Sequence, residues 1–168
     1  MPTAVRISEE LVNEAKKISK IDRRSLTGQI EHWARIGKCA EENPDLTYDL
    51  IKEILIGIEE LKQGEKSAYQ FGWKRMRVYQ SRSFERKVKK FTKKEKNCLD
   101  NEIKEIVRNP SIDFEKKGDL RGVFVHKFKI KTTLYLLAYR LVADGLELIM
   151  IGVHENYYRD LKSYLKNR

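Results

Sequence analysis

Thr3-Ala4-Val5-Arg6-Ile7-Ser8 runs without a break into Glu9-Glu10-Leu11, and the reading of this stretch decides how the chain begins to fold. Small or polar residues alternate with apolar ones, which is the period of a short strand: Val5 and Ile7 share one face, Ala4 and Arg6 the other. Ser8 is a hydroxyl N-cap, Glu9 and Glu10 suit the positive first turn of a helix, and Leu11, Ala15 and Ile18 follow at core spacing. This helix is expected to end near Asp22-Arg23-Arg24. Ser25 caps a second one carrying Leu26, Ile30, Trp33, Ala34 and Ile36, which runs out before Asn43-Pro44. Trp33 sits at core spacing; His32 faces away and is expected to be exposed. A lone strand of about five residues leaves its backbone groups unpaired, and the nearest equivalent partner is the same strand of a second copy. An obligate dimer is therefore expected.

Moving outward, residues 45–62 give a third helical pattern with Leu46, Leu50, Ile54, Ile58 and Leu61 at steps of three and four. Such a stripe needs a surface to cover, and the strand–helix–helix unit is complete without it, so it is a clamp for a partner protein. Gln63-Gly64-Glu65-Lys66-Ser67 breaks the helix. Tyr69, Phe71 and Trp73 follow as aromatics in an otherwise polar stretch, either anchors for pockets or a linker packed on its own domain.

Beyond Met76 the pattern changes. Arg77-Val78-Tyr79-Gln80 reads as a strand. Ser83 and Thr92 are caps for a helical hairpin carrying Phe84, Val88 and Phe91, then Leu99, Ile103, Ile106 and Val107, which stops at Asn109-Pro110. Strands are expected over 123–130, 133–142 and 146–153, and a last helix over about 155–166. The order strand, two helices, three strands, helix describes an α+β fold, an antiparallel sheet with helices on one face. The expected organisation is thus two domains: residues 1–44, mainly α with one strand; a helix and linker over 45–75; and an α+β domain over 76–168.

The chain has 168 residues and a formal net charge of +10, and the excess is not evenly spread. Residues 1–75 hold 13 Lys+Arg against 13 Asp+Glu, whereas residues 76–168 hold 22 against 12. A basic second domain suits a polyanion such as nucleic acid, because neutralising phosphates releases counterions; a basic solvated surface is the plainer alternative. No apolar run approaches the roughly 20 residues that span a bilayer, and Arg6, Glu9 and Glu10 do not fit a signal peptide, so a cytoplasmic location without membrane partners is expected. Two cysteines, Cys39 and Cys98, are too few for a disulfide framework or a zinc cluster. No metal or cofactor is expected.

The chemistry available to the second domain comes from cations. Cleaving RNA by attack of its own 2′-hydroxyl needs a base, an acid and positive charge on the phosphorane. His154 has a side chain whose reference pKa lies near neutrality; its alternative role is a cap on the last helix. Lys129 and Lys131, at strand period 2, place two ammonium groups on one face, where they serve a phosphate or line a solvated surface. Tyr157 or Tyr158 can stack on a splayed base. Arg121 and Arg140 are phosphate contacts or surface residues, and His126 is either a site member or a solvent-facing strand residue. Tyr135 and Tyr139 lie on the core face.

Two resemblances organise these readings. Ala4-Val5-Arg6-Ile7-Ser8-Glu9-Glu10-Leu11 with Arg24-Ser25-Leu26-Thr27-Gly28-Gln29-Ile30 resembles the ribbon-helix-helix repressors, in particular their ParD-like antitoxin branch. This implies a two-stranded ribbon that enters operator DNA with Ala4 and Arg6 against base edges, while Ser25 and the N–H groups of Leu26 and Thr27 meet a phosphate. Leu120-Arg121-Gly122, Phe128-Lys129-Ile130-Lys131, residues 135–140 and Ile151-Gly152-Val153-His154 with residues 155–161 resemble the RelE/ParE toxin superfamily, in its branch of mRNA interferases similar to RelE and YafQ. That resemblance implies a ribosome-dependent endoribonuclease with Lys129, Lys131, His154 and Tyr158 as its catalytic set. Leu136 stands where RelE has an arginine. By the same resemblance Leu50, Ile54, Ile58, Leu61, Tyr69 and Phe71 would neutralise the toxin. ParE-like relatives share the fold and act on DNA gyrase instead, and a degenerate toxin on a DNA-binding autorepressor is the third alternative.

Overall fold

The computed structural model describes residues 4–70, 76–110 and 112–154. Three helices open the chain: α1 (Glu9–Ile21), α2 (Leu26–Glu42) and α3 (Tyr48–Lys62). Each begins at a hydroxyl cap. Ser8 Oγ accepts from the Leu11 N–H, Ser25 Oγ from the Gly28 N–H, and Thr47 Oγ1 from the Leu50 N–H. Each cap satisfies a donor that the first helical turn would leave unpaired. α3 starts three residues later than the apolar stripe suggests, because Asp45 and Leu46 lie in a turn closed by the Leu46 N–H on the Asn43 carbonyl. Residues 4–8 form no strand within one chain, and Val5 is 76% exposed. Ile7, Leu11 and Ile18 extend this uncovered apolar face. His32, expected in solvent, is half-buried, and so is Trp33.

The remainder is built on a five-stranded sheet made of β1 (Lys66–Ala68), β2 (Arg77–Ser81), β3 (Phe124–Ile130), β4 (Thr133–Val142) and β5 (Gly145–Val153), in the order β1-β2-β5-β4-β3. The three later strands fall where their apolar runs predict. Two expectations are corrected. The sheet is mixed, since β2 and β5 are parallel, with α4 (Arg82–Val88) and α5 (Lys93–Arg108) in the connection between them. Lys66 and Ser67 are not a plain break: with Ala68 they form an edge strand antiparallel to β2, in register Lys66↔Ser81 and Ala68↔Tyr79. The exposed edge of β2 offers unpaired donors and acceptors, and even a polar three-residue segment stabilises it by pairing. The cap of α4 is Ser81 rather than Ser83, because β2 runs straight into the helix; Ser81 Oγ accepts from the Phe84 N–H and donates to the Ile149 carbonyl at 2.7 Å. Thr92 caps α5 through a reciprocal box with Glu95.

The two faces of the sheet bury different things. One face packs Val78, Phe128, Leu137, Tyr139, Leu148 and Ile151 against Phe84, Val88, Leu99, Ile103 and Ile106 of α4 and α5. The opposite face presents Val125, Leu136, Ala138, Ile149 and Met150, and it is covered by Ile36 and Cys39 of α2 and by Leu46, Leu50, Ile51, Ile54 and Leu61. So the second domain's own helices sit on one face, as expected, and the first part of the chain supplies the cover for the other. A register shift between Ala138 and Tyr139 makes Ile149 the extra residue of a bulge, and consecutive Ile149 and Met150 both join the α3 side.

Candidate functional site

β3 alternates cleanly. Val125, facing α3, is buried, as are Phe128 and Ile130 on the α5 side, while Lys127 and Lys129 are exposed. The pair of lysines at period 2 on one strand face is therefore Lys127 and Lys129. Lys131, expected beside Lys129, leaves the strand: it occupies the β3–β4 turn with φ +57°. The two-residue turn at Lys131-Thr132 needs a left-handed position, and that requirement overrides continuation of the strand. Sequence reasoning missed Lys127, although the same alternation that singles out Lys129 carries back to it. Lys129 pairs in register with Leu134, whose carbonyl accepts the His154 N–H at 2.9 Å. Lys127 and Lys129 on β3 and His154 just past β5 thus flank β4. Among the described residues, Lys129 and Lys131 make no ion pair. Tyr157 and Tyr158, with the expected last helix, lie outside the described residues, as does Phe71.

Three other expected contacts have different surroundings. Arg121 is exposed, closing the 3-10 turn at Gly118–Leu120. Arg140 is not a free phosphate ligand: its Nε donates to Glu147 Oε2 at 2.5 Å, and Lys66 Nζ reaches the other oxygen at 3.2 Å. Glu147 has a side chain only 5% exposed, so both cations are needed to compensate its buried charge. His126 faces α5 instead of solvent. Its Nδ1 lies 2.9 Å from Asp113 and its Nε2 3.0 Å from Glu102, while Tyr139 donates to the same Asp113 oxygen at 3.0 Å. Burial, then the charge of Asp113 and its hydrogen bond, push the Tyr139 phenol above its ordinary value. These groups tie the 113 loop and α5 to the sheet. Held by both carboxylates, His126 belongs to the scaffold.

The residues expected to neutralise the toxin do come together on the sheet. Leu50, Ile54 and Leu61 are buried against the sheet and Ile58 packs at their margin. Gly57 rests on the backbone of β5, where a Cβ would overlap the Ile149 carbonyl oxygen, and a Cβ on Gly152 would touch Leu50. Around this apolar seam runs a ring of ion pairs, most with the acid on the N-terminal part. Asp45 meets Lys116 at 2.7 Å and Lys127 at 3.5 Å, Glu53 meets Lys87 at 2.5 Å, Glu60 meets Arg86 at 3.6 Å, and Glu65 meets Arg82 at 3.6 Å. Burial works against the Asp45 charge, but the Lys116 hydrogen bond and charge, helped by Lys127, outweigh it and hold the carboxyl below its ordinary value. Arg35 with Asp119 and Lys66 with Glu147 have the opposite polarity. Tyr69 completes the wrap on the far face: it stacks edge-on to Phe84 at 6.0 Å and donates to Asp100 at 2.6 Å. Burial, then the bond to Asp100 and its charge, drive this phenol far above its ordinary value, so it stays a neutral donor. One continuous segment therefore crosses the sheet on α3, pairs its edge as β1 and anchors on its other side.

At the other end of the chain Ala4 and Arg6 are exposed. Ser25 spends its side chain on the Gly28 N–H, while Leu26 and Thr27 supply the first two N–H groups of α2, which have no intrahelical acceptor.

The comparisons agree with this division. The model of the ParE-like toxin of type II bacterial toxin-antitoxin systems matches residues 78–162, and that of the ParD-like antitoxin of such systems matches residues 2–71. No curated protein and no solved structure matches the chain significantly. The segment that crosses the sheet as α3 and β1 falls within the antitoxin match, and the sheet it covers, from Val78 of β2 through Val153 of β5, falls within the toxin match. The chain belongs to the ParE-like toxin family and carries a ParD-like antitoxin in the same polypeptide, a type II toxin–antitoxin fusion.

Proposed function

We propose that this fusion is a toxin–antitoxin module neutralised in cis, whose toxin domain is a metal-independent mRNA endoribonuclease acting on the ribosome and whose antitoxin part dimerises through residues 4–8 to bind operator DNA. The observation that carries the reading is Asp45: an antitoxin carboxylate lies against Lys127 and Lys116, beside exposed Lys129, where an RNA cleavage site would hold a phosphate. In this reading His154 moves a proton between the 2′-hydroxyl, solvent and the leaving 5′-oxygen. Lys127 and Lys129 neutralise the phosphorane, and Lys131 extends that field from the turn. Tyr157 and Tyr158 would stack on the flanking bases. Arg121 contributes a further phosphate contact; Arg140 does not, being tied to Glu147. Arg6 with Ala4 reads base edges, and the start of α2 at Ser25, Leu26 and Thr27 holds a DNA phosphate. The domains of the reading are residues 1–44, 45–75 and 76–168, with no cofactor.

A second reading is that of a ParE-like toxin acting on DNA gyrase. It is favoured by the ParE-like match and by Arg140, an expected phosphate contact, being held by Glu147. One experiment separates the two. A chain carrying Ile54→Asp, in which a buried charge breaks the seam under α3, is assayed beside the parent for mRNA cleavage in a translation reaction and for gyrase supercoiling. Cleavage released by the substitution supports the nuclease; inhibited supercoiling with intact mRNA overturns it in favour of the second reading.

A further inference from the structure

The sequence from Arg82 to Lys96 carries eight Lys+Arg against two Asp+Glu, and residues 41–65 carry the reverse, eight Asp+Glu against two Lys+Arg. The fold lays these two segments against each other. Glu53 holds Lys87, Glu60 holds Arg86 and Glu65 holds Arg82, so three acids of the antitoxin segment engage the first three cations of the toxin segment. Between α3 and α4 a cavity of about 350 Å³ has Glu53 on one wall, Arg86, Lys87 and Lys90 on the other, and Met150 among the lining residues. Lys90 at the cavity wall, and Lys93, Lys94 and Lys96 past it, are exposed and make no ion pair among the described residues. The cations neither serve the packing of α4, which rests on Phe84 and Val88, nor that of α5, which rests on Leu99, Ile103 and Ile106. A row of unneutralised lysines continuing from a row of carboxylate-paired ones is the arrangement a polyphosphate chain fits, with each carboxylate standing in the place of one phosphate.

We propose that α4 and the start of α5 form a backbone track for single-stranded RNA on the toxin domain, and that Glu53, Glu60 and Glu65 of the antitoxin occupy its first half as phosphate mimics. The inference rests on the reading of the toxin as acting on RNA, and adds to it a binding surface separate from Lys127, Lys129 and His154. It also gives the clamp a second function. Beyond covering the sheet, α3 competes with substrate for the cations that would capture it.

The test uses the full chain and a short fluorescent RNA that is fully 2′-O-methylated, so that binding is read without cleavage. Anisotropy is measured over a salt series for the parent, for Glu53→Gln with Glu60→Gln, for that pair combined with Arg86→Ser, Lys87→Ser and Lys90→Ser, and for Lys93→Ser with Lys94→Ser alone. Freeing two cations should tighten RNA binding about tenfold at low salt and steepen the log–log salt slope by about 1.4. The gain should vanish when Arg86, Lys87 and Lys90 are also replaced. The Lys93→Ser, Lys94→Ser chain, which leaves the seam untouched, should bind less tightly than the parent. An unchanged slope in the Glu variant, a gain that survives loss of the α4 cations, or tighter binding of single-stranded DNA of the same sequence overturns the track. Failure of the nuclease reading shows separately, as absence of cleavage of unmodified mRNA by the Ile54→Asp chain.

Discussion

Gly57 shows how much one residue can decide. A glycine inside α3 costs about 1 kcal/mol of helix propensity relative to alanine, which is justified only if the missing side chain lets something approach. What approaches is the β5 backbone at Ile149, the bulge residue whose carbonyl also accepts from Ser81. Gly57→Val should lift α3 from the sheet, lower stability by about 1–3 kcal/mol in a denaturant titration, and release toxin activity in cells. Asp45 gives the corresponding pH prediction. Its carboxyl is held below the ordinary value in the folded chain, so the contact with Lys116 and Lys127 stabilises fully above the unfolded value near about 4 and is lost as pH falls through the lower folded value. Stability of the parent should therefore decline more steeply below about pH 4 than that of Asp45→Asn, as read by thermal unfolding across pH. Parallel curves would remove Asp45 from the clamp.

At the scale of elements, what was legible in the sequence is what has strong periodicity or a hydroxyl cap. α2, α5 and β4 fall within a residue or two of expectation because each has an amphipathic or alternating pattern bounded by Ser25, Thr92 or a turn. α3 was legible as a stripe, and its role as a clamp followed from the stripe having no other surface to cover. β1 was not, since Lys66-Ser67-Ala68 has neither alternation nor β-branched residues; it is a strand only because β2 offers an edge. The bulge at Ile149 was hidden for a similar reason, as an unbroken apolar run carries no sign of which residue is extra. Of the candidate site, Lys129 and His154 were legible from alternation and strand ends. Lys131 and His126 were misplaced by turn geometry and by two carboxylates distant in sequence. The clamp elements make a prediction of their own. Tyr69→Phe keeps the ring against Phe84 but leaves Asp100 without its donor, and should cost about 1–3 kcal/mol in chemical denaturation. A cost near zero would mean that water replaces the hydroxyl without loss.

The whole molecule joins an antitoxin part with balanced charge to a toxin part that carries the entire excess, and the joint itself matters. β1 and β2 are neighbours in one sheet, so the clamp arrives on its own toxin domain through a short connection and at an effective concentration on the order of millimolar. Neutralisation in such a chain is intramolecular. Diluting the intact protein to nanomolar concentration should leave it silent in a translation assay, whereas a seam broken by Ile54→Asp should act at any concentration. The same released chain supplies the decisive test of chemistry. The proposed cleavage relies on one imidazole and two strand lysines. His154→Ala in the Ile54→Asp background should slow mRNA cleavage by about 10²–10⁴-fold, the usual contribution of a general acid or base. Lys127→Ala and Lys129→Ala should slow it too. Only the histidine variant, however, should change the shape of the pH–rate profile, because the proposed proton transfer passes through its imidazole while the lysines act as charges. His154→Ala leaves the buried seam and both core faces intact, so thermal unfolding should be unchanged, which separates lost chemistry from lost fold. Cleavage at the parent rate by the His154→Ala chain, or its abolition by EDTA, would end the proposed mechanism and leave the gyrase reading as the one to pursue.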